Sequence, residues 1–154
     1  MATLYLSLGT NLGDRRSNLE AALTLIGQKI GKVEAVSSIL ETEPWGFDSP
    51  NRFLNLAAKV KTELNPLDVL KTTQKIEKSM GRTSKTGARG YQDRIIDIDL
   101  LMYDELVMES PELTIPHRLM HKRRFVLEPL AEISPELVHP VIHKTISQLL
   151  NEIQ

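Results

Sequence analysis

The sequence contains no cysteine, and this absence excludes disulfides, thiolate-bound metals and cysteine nucleophiles. Its formal net charge is −1, so no global basic field draws the chain to nucleic acid or to a membrane surface. No stretch approaches the roughly 18 apolar residues of a transmembrane helix. The first residues also lack the basic start and the long apolar run of a signal peptide. We therefore expect a cytoplasmic protein that binds neither nucleic acid nor membrane.

The 154 residues suffice for a single core, so we expect one domain spanning residues 1–154. Hydrophobic periodicity predicts the order β-α-β-β-α-β over the first hundred residues. This order indicates a ferredoxin-like βαββαβ core of the α+β class, with a four-stranded, mainly antiparallel sheet. C-terminal additions are expected to cover the other face and give an α/β/α layered domain. The predicted strands are Thr3–Gly9, Lys32–Thr42, Phe53–Thr62 and Ile95–Tyr103, with a short one at Leu113–Ile115.

Helix signals flank these strands. Asp14 and Asn65 are predicted N-caps, and Thr145 with Gln148 predicts a capping box for the last helix. A further helix is predicted over Arg123–Leu130, disrupted at Pro129.

Two aspartates, Asp97 and Asp99, lie in the most apolar stretch of the chain. Residues i and i+2 of a strand share a face, so both carboxylates are predicted to point the same way, opposite Ile96, Ile98, Leu100 and Met102. Aspartate is disfavoured in strands, and a buried carboxylate needs a cation. Basic residues flank the stretch on both sides: Arg82, Lys85, Arg89, Arg94, His117, Arg118, His121, Lys122, Arg123 and Arg124.

Carboxylates that hold a divalent metal within a ring of phosphate-binding residues are typical of a Mg-nucleotide enzyme. The alternative is a solvated strand face whose charges are balanced by structural ion pairs. More cations flank the stretch than two aspartates require, which favours the metal site.

Aromatic residues make up only 5% of the chain, so Phe53 and Phe125 stand out. Each ring taken singly is compatible with a core position. Asn55, in mid-strand beside Phe53, suits recognition of a flat, hydrogen-bonding heterocycle. Glu77, on the inner side of its helix, is more typical of a structural ion pair, whereas structural and phosphate-binding roles are equally compatible with His117.

These motifs, in this order, resemble the 6-hydroxymethyl-7,8-dihydropterin pyrophosphokinase family over nearly the whole chain. The most specific segment is Arg94–Leu101, which has the family's Arg-x-x-Asp-hydrophobic-Asp pattern. The other matching segments are Tyr5–Asp14, Phe53–Asn55, Gln74–Glu77, Gly81-Arg82, Thr114–His117 and Arg123–Leu130. The chain departs from the family's usual Arg-Trp-Gly-Pro-Arg in the segment before the signature, at residues 89–94.

The resemblance implies transfer of pyrophosphate from ATP to the hydroxymethyl group of 6-hydroxymethyl-7,8-dihydropterin, giving the pterin diphosphate and AMP in folate biosynthesis. It implies that Asp97 and Asp99 bind two Mg²⁺ ions and carry catalysis together with Arg82 and Arg94. The implied ATP-binding residues are Gln74, Glu77, Arg82, Arg94, Leu100, Thr114, His117 and Arg123. The implied pterin-binding residues are Thr42, Glu43, Pro44, Trp45, Phe53, Asn55, Asp97 and Phe125. A monomer that acts on these small molecules is expected.

Two other classes of protein are alternatives. A ferredoxin-like RNA-binding module would need exposed aromatics and a basic face on the sheet, where this chain carries carboxylates. A different two-metal phosphoryl-transfer enzyme, such as a cyclase or a nuclease, would share the aspartate pair. Asn55 with the aromatic pair favours an enzyme that recognises a small heterocycle.

Overall fold

The computed structural model describes residues 1–43, 51–81 and 95–153. The strands are β1 Ala2–Thr10, β2 Gly31–Val36, β3 Leu40–Thr42, β4 Phe53–Thr62, β5 Asp97–Tyr103, β6 Met108–Glu109 and β7 Thr114–Ile115. The α-helices are α1 Arg15–Lys29, α2 Pro66–Ser79, α3 Arg124–Ile133 and α4 Ile146–Glu152, and a 3₁₀ turn covers Met120–Lys122. Within these ranges, no helix combines the length and the apolar character needed to cross a bilayer.

The main sheet has the strand order β2-β4-β1-β5, and β3 pairs with β4 beyond the end of β2. All of its pairings are antiparallel. Strands β6 and β7 form a separate two-stranded sheet. Mixed helices around an antiparallel sheet confirm the predicted α+β class.

Helices cover the sheet on both sides and create two cores. Strand β1 shows the division most clearly, because its leucines Leu4, Leu6 and Leu8 pack with α1 and α2, whereas Tyr5 packs with α3 and α4. Successive side chains of a strand point to opposite faces, so one strand serves both cores. The α3/α4 core forms the second layer that was expected from the C-terminal third.

The predicted strand Lys32–Thr42 is wrong as one continuous strand, because it is interrupted between β2 and β3. Val36 is opposite Ala58 whereas Leu40 is opposite Asn55, so residues 37–39 face only two residues of β4. This extra residue is a β-bulge. The Ser37 hydroxyl stabilises it by accepting a hydrogen bond from the backbone N–H of Ala57 at 2.9 Å. Serine can compete for backbone groups in this way, which hydrophobic periodicity does not register.

A second irregularity corrects the predicted faces of β5. Tyr5 is opposite Met102 but Leu6 is opposite Leu100, so Leu101 is the additional residue. Met102 therefore packs with α3 and α4, and not on the face of Ile98 and Leu100 as predicted. The strand also begins at Asp97, two residues after the predicted start.

The predicted helix caps are confirmed. The Asp14 carboxylate accepts from Ser17 N–H at 3.2 Å, and the Asn65 amide oxygen accepts from Asp68 N–H at 2.9 Å. Thr145 and Gln148 form the capping box of α4.

The predicted end of the helix at Pro129 is wrong, because α3 continues to Ile133 with the proline inside it. A proline in a helix interior costs about 3 kcal/mol or more, because it removes a backbone hydrogen bond and its ring clashes with the preceding turn. Burial of Val126, Leu127 and Leu130 around Pro129 offsets this cost through tertiary packing.

Candidate active site

The helices α3 and α4 cover only part of their sheet face. Under them lie Tyr5, Ala57 and Leu101. Further along the same strands, the face opens into a cavity. Its lining residues are Ser7, Gly9, Thr42, Glu43, Phe53, Asn55, Asp97, Asp99, Arg123 and Phe125. The structure thus brings together the described part of the predicted pterin site, both predicted metal ligands and one predicted phosphate-binding arginine.

The floor of the cavity is built by strand register. Gly9 of β1 is opposite Asn55 on one side and Asp97 on the other, and Ser7 is opposite Asp99. A Cβ on Gly9 would lie 3.2 Å from the Asn55 side-chain oxygen and 3.5 Å from the Phe53 ring. The absence of a side chain on Gly9 therefore keeps the floor of the cavity clear between Asn55 and Asp97. Sequence reasoning missed both β1 residues, although small residues that alternate with leucines were a usable signal.

Asn55 is 3% exposed and its amide orientation is fixed by β3. Its Nδ2 donates to the Thr42 hydroxyl at 2.8 Å and to the Leu40 carbonyl at 3.4 Å. A carbonyl can only accept, so the nitrogen must face β3 and Oδ1 must face Gly9. The cavity floor consequently presents a hydrogen-bond acceptor for an N–H group of a ligand.

Asp97 and Asp99 are half-buried and line the same cavity, as the alternation predicted. Between them, the backbone N–H of Ile98 donates to the Glu77 carboxylate of α2 at 2.8 Å. Glu77 is itself only 6% exposed. This contact fixes the outer edge of β5 at the point where the strand presents its two carboxylates.

The start of α3 closes one side of the cavity. Arg123 is 2% exposed, and burial lowers its pKa to about 10, which still leaves the guanidinium charged at neutral pH. Its guanidinium carbon lies 5.6 Å from the centre of the Phe125 ring, within the range of a cation–π contact. One buried cation thus lines a cavity that also contains two carboxylates.

A second cavity adjoins the first and shares Asp99 with it. It is lined by Leu70, Ile98, Asp99, Leu100, Ser110, Pro111, Glu112, Leu113, Thr114, His117, Arg118 and Leu119. Three of the predicted ATP-binding residues, Leu100, Thr114 and His117, therefore line the same cavity.

His117 is held by backbone contacts on both sides. Its backbone N–H donates to the Leu101 carbonyl at 2.9 Å, and its ring Nδ1 accepts from the Leu119 backbone N–H at 3.2 Å. In the neutral ring the proton is consequently on Nε2, which makes this atom a donor. Burial lowers the pKa of His117, Asp97 opposes that shift, and Arg118 adds to it.

Several predicted site residues are not brought to these cavities. Gln74 is exposed on α2, and neither it nor Glu77 lines either cavity. Four others lie outside the described residues: Pro44, Trp45, Arg82 and Arg94. The roles of these residues stay predictions.

The donor set at Asp97 and Asp99 is compatible with magnesium. Across residues 1–43, 51–81 and 95–153, no three His, Asp or Glu side chains cluster closely enough to hold a metal ion. Mg²⁺ is commonly bound by one or two carboxylates together with substrate phosphates and water. The two aspartates suit an ion that arrives with a polyphosphate.

Comparisons with known proteins identify the family of the chain. Residues 5–135 match the family model of 7,8-dihydro-6-hydroxymethylpterin-pyrophosphokinase (HPPK). A 2-amino-4-hydroxy-6-hydroxymethyldihydropteridine pyrophosphokinase of Porphyromonas gingivalis is 48% identical over 141 residues, which are 91% of this chain and 95% of the relative. The Aquifex aeolicus enzyme of the same name is 37% identical over 152 residues, 99% of this chain and 92% of the relative.

Solved structures share the fold at lower identity. The Plasmodium falciparum HPPK-DHPS crystal structure with pteroate has a TM-score of 0.81 at 20% identity and covers 98% of this chain. An HPPK-DHPS structure in complex with substrates has a TM-score of 0.79 at 18% identity. The chain spans 44% and 43% of these two longer proteins. From the family model and the curated relatives, the chain belongs to the 7,8-dihydro-6-hydroxymethylpterin-pyrophosphokinase family.

Proposed function

We propose that this chain transfers pyrophosphate from ATP to the hydroxymethyl group of 6-hydroxymethyl-7,8-dihydropterin, forming the pterin diphosphate and AMP in folate biosynthesis. The observation that carries the proposal is one cavity that joins Asn55 and two phenylalanines to the aspartate pair. A heterocycle held there has its reacting substituent beside the groups that bind a metal–phosphate. Family membership and the names of the curated relatives support the same reaction.

The pterin is proposed to stack between Phe53 and Phe125. The Asn55 Oδ1 would accept a hydrogen bond from an N–H on the edge of the ring, because its Nδ2 is occupied by β3. Thr42 and Glu43 form the adjoining wall. The next residues, Pro44 and Trp45, complete the proposed pterin site.

ATP is proposed to occupy the second cavity, with Leu100 and Thr114 beside the nucleoside. The Nε2–H of His117 would donate to a phosphate oxygen, and Arg123 would bind phosphate from the pterin side. The other proposed nucleotide contacts are Gln74, Glu77, Arg82 and Arg94.

Asp97 and Asp99 are proposed to hold two Mg²⁺ ions, which when bound neutralise the negative charge of the triphosphate. The pterin hydroxyl oxygen forms a bond to the β-phosphorus, the bond from that phosphorus to the α–β bridging oxygen breaks, and AMP leaves. The hydroxyl proton is released to solvent water. The residues of the chain would contribute by orienting the hydroxyl and the triphosphate. Arg82, Arg94 and Arg123 would stabilise the negative charge that develops on the phosphates in the transition state.

We also infer that the fold is ferredoxin-like, supported by the order β2-β4-β1-β5 and by two helices on one face. A single pyrophosphokinase domain over residues 1–154, a monomeric state and a cytoplasmic location stay predictions.

The test is product identity. The protein is incubated with ATP and the pterin alcohol, with and without Mg²⁺, and the products are separated by chromatography and identified by ³¹P NMR. AMP and a pterin diphosphate should form in equal amounts only when all three components are present. Formation of ADP instead would contradict pyrophosphoryl transfer and indicate an ordinary kinase.

A further inference from the structure

Strand β3 forms part of the wall of the proposed pterin cavity, yet few backbone hydrogen bonds with strands in the described part of the chain hold it in place. It contains three residues, lies at the sheet edge, and among the described strands pairs only with β4. Its last residue, Thr42, accepts the hydrogen bond that orients the Asn55 amide. Any displacement of β3 would therefore change the floor of the pterin cavity.

Glu132, in the last turn of α3, forms hydrogen bonds with the segment that leads into β3. Its carboxylate accepts from the Ser38 backbone N–H at 3.0 and 3.2 Å and from the Ser38 hydroxyl at 2.8 Å. Hydrogen bonds to an ionised acceptor are stronger than bonds between neutral groups. One side chain thus fixes both polar donors of Ser38.

The neighbouring serine fixes the same segment to the sheet. Ser37 Oγ accepts from Ala57 N–H and donates to the Ser38 carbonyl, both at 2.9 Å. The bulge at residues 37–39 is thereby bound to β4 by Ser37 and to α3 by Glu132. Together with a register shift between Val33 and Ala35 in β2, this bulge decides which residue of β3 lies opposite Asn55.

Helix α3 acts on the pterin cavity at both of its ends. Phe125 is in its first turn and lines the cavity, and Glu132 follows seven residues later, about 10 Å along the axis at 1.5 Å per residue. The helix that provides one aromatic wall therefore also holds the strand next to Phe53, which provides the other.

We propose that Glu132 is a positioning residue for the pterin. By holding Ser38 it sets β3, the Thr42 hydroxyl and hence the Asn55 amide, together with the spacing between the two aromatic walls. The identity of the ligand rests on the proposed function. Glu132 itself does not line the cavity, so its effect on substrate is indirect.

The experiment compares Glu132→Ala, Glu132→Gln and Ser38→Ala with Glu136→Ala, which removes an exposed carboxylate shortly after α3. Pterin affinity is measured with Mg²⁺ and a saturating non-hydrolysable ATP analogue, and the affinity for that analogue is measured separately. Glu132→Ala should weaken pterin binding about tenfold, as expected for the loss of charge-assisted hydrogen bonds. Analogue binding should stay near wild type.

The conservative variants sharpen the test. In Glu132→Gln the amide oxygen still accepts from Ser38 N–H, so most of the affinity should return. Ser38→Ala keeps the backbone contact and should have an intermediate effect. Glu136→Ala should match wild type. If Glu132→Ala does not fold, Ser38→Ala still decides the matter, because unchanged pterin affinity in that variant would overturn the proposal.

A ligand-free measurement separates this proposal from the proposed function. Hydrogen exchange of the Asn55 side-chain NH₂, followed by NMR, should be faster in Glu132→Ala than in wild type or Glu136→Ala. Equal exchange rates would overturn the positioning role even if the enzyme activity is as proposed. Equal weakening of pterin and analogue, with a fall in melting temperature, would also overturn it, since that pattern indicates general destabilisation.

Discussion

One face of the central sheet has two parts, which are formed by the same strands but differ in their side chains and in what covers them. In the covered part, Tyr5, Ala57 and Leu101 pack under α3 and α4. In the open part, the same β1, β4 and β5 present Ser7, Asn55 and Asp99 to a cavity. Burial of apolar surface drives the first arrangement, whereas the second lines a cavity with polar groups that suit a ligand.

The difference shows how one strand can serve stability and chemistry together. Strand β5 begins with Asp97 and Asp99 in the open part and continues to Leu101 and Met102 in the covered part. The extra residue at Leu101 places two consecutive apolar side chains toward α3 and α4. The covered part, here called the covered half, thus anchors the aspartates of the open half. Substitutions in the open half should mainly lower turnover, and substitutions in the covered half should mainly lower stability.

The largest effect should follow from removing a carboxylate of the open half. Asp97→Ala or Asp99→Ala should lower turnover by about 10³-fold or more, because charge stabilisation in the transition state is lost. The melting temperature without ligand should change little, because both side chains are half-buried and line a cavity outside the packed core. Steady-state kinetics and calorimetry measure the two quantities, with the exposed Glu20→Ala as control. Near-normal turnover in both variants would show that the two aspartates have a structural role and not a catalytic one.

A core residue of the covered half should show the opposite pattern. Leu101 is 1% exposed, so Leu101→Ala should lower the free energy of unfolding by about 2–5 kcal/mol. Turnover per folded molecule should stay close to wild type. Urea unfolding checks the first effect, with Val107→Ala, at a 57% exposed site, as the matched control. A large loss of turnover with little loss of stability would remove the distinction between the halves.

The aromatic walls test whether open-half rings bind ligand or support the core. Phe53→Ala and Phe125→Ala should each weaken pterin binding by about 1–3 kcal/mol through lost stacking, with a smaller change in ATP binding. Leucine at either position restores apolar volume but not stacking. Full recovery of pterin affinity in the leucine variants, measured by titration calorimetry, would show that the rings act by packing.

The smallest effect concerns the pH dependence of stability, and it tests a buried histidine in the segment between α3 and α4. His139 is 4% exposed, its Nδ1 accepts from Val141 and Ile142 N–H, and its pKa is lowered chiefly by burial and further by His121 and His143. As pH falls through about 6.5, the unfolded chain takes up a proton that the folded histidine resists. The free energy of unfolding should therefore fall with acidification, by at most about 1.4 kcal/mol per pH unit for this group.

The matched variant is His139→Asn, which keeps an acceptor but does not titrate. Guanidinium unfolding at pH 7.5, 6.5 and 5.5 should show a shallower loss of stability than in wild type. His117, whose pKa is also lowered by burial, should account for part of the remaining slope. If the free energy of unfolding changes equally with pH in wild type and variant, His139 does not contribute to the loss of stability in acid.

Local patterns in the sequence were enough for much of this protein. The helix caps at Asp14, Asn65 and Thr145, the strand Phe53–Thr62 and the shared face of Asp97 and Asp99 were all predicted correctly, because each depends on neighbours within a few residues. The family motifs extended these predictions to the reaction.

Tertiary structure decided the features that depend on distant partners. The bulge at Ser37 needs the N–H of Ala57, the helix through Pro129 needs a core to offset its cost, and the extra residue at Leu101 needs the register of β1. The contact of Glu132 with Ser38 likewise depends on how α3 packs against the segment that leads into β3. Periodicity reports which side of an element is apolar, but not what lies opposite it, and long-range contacts fix that.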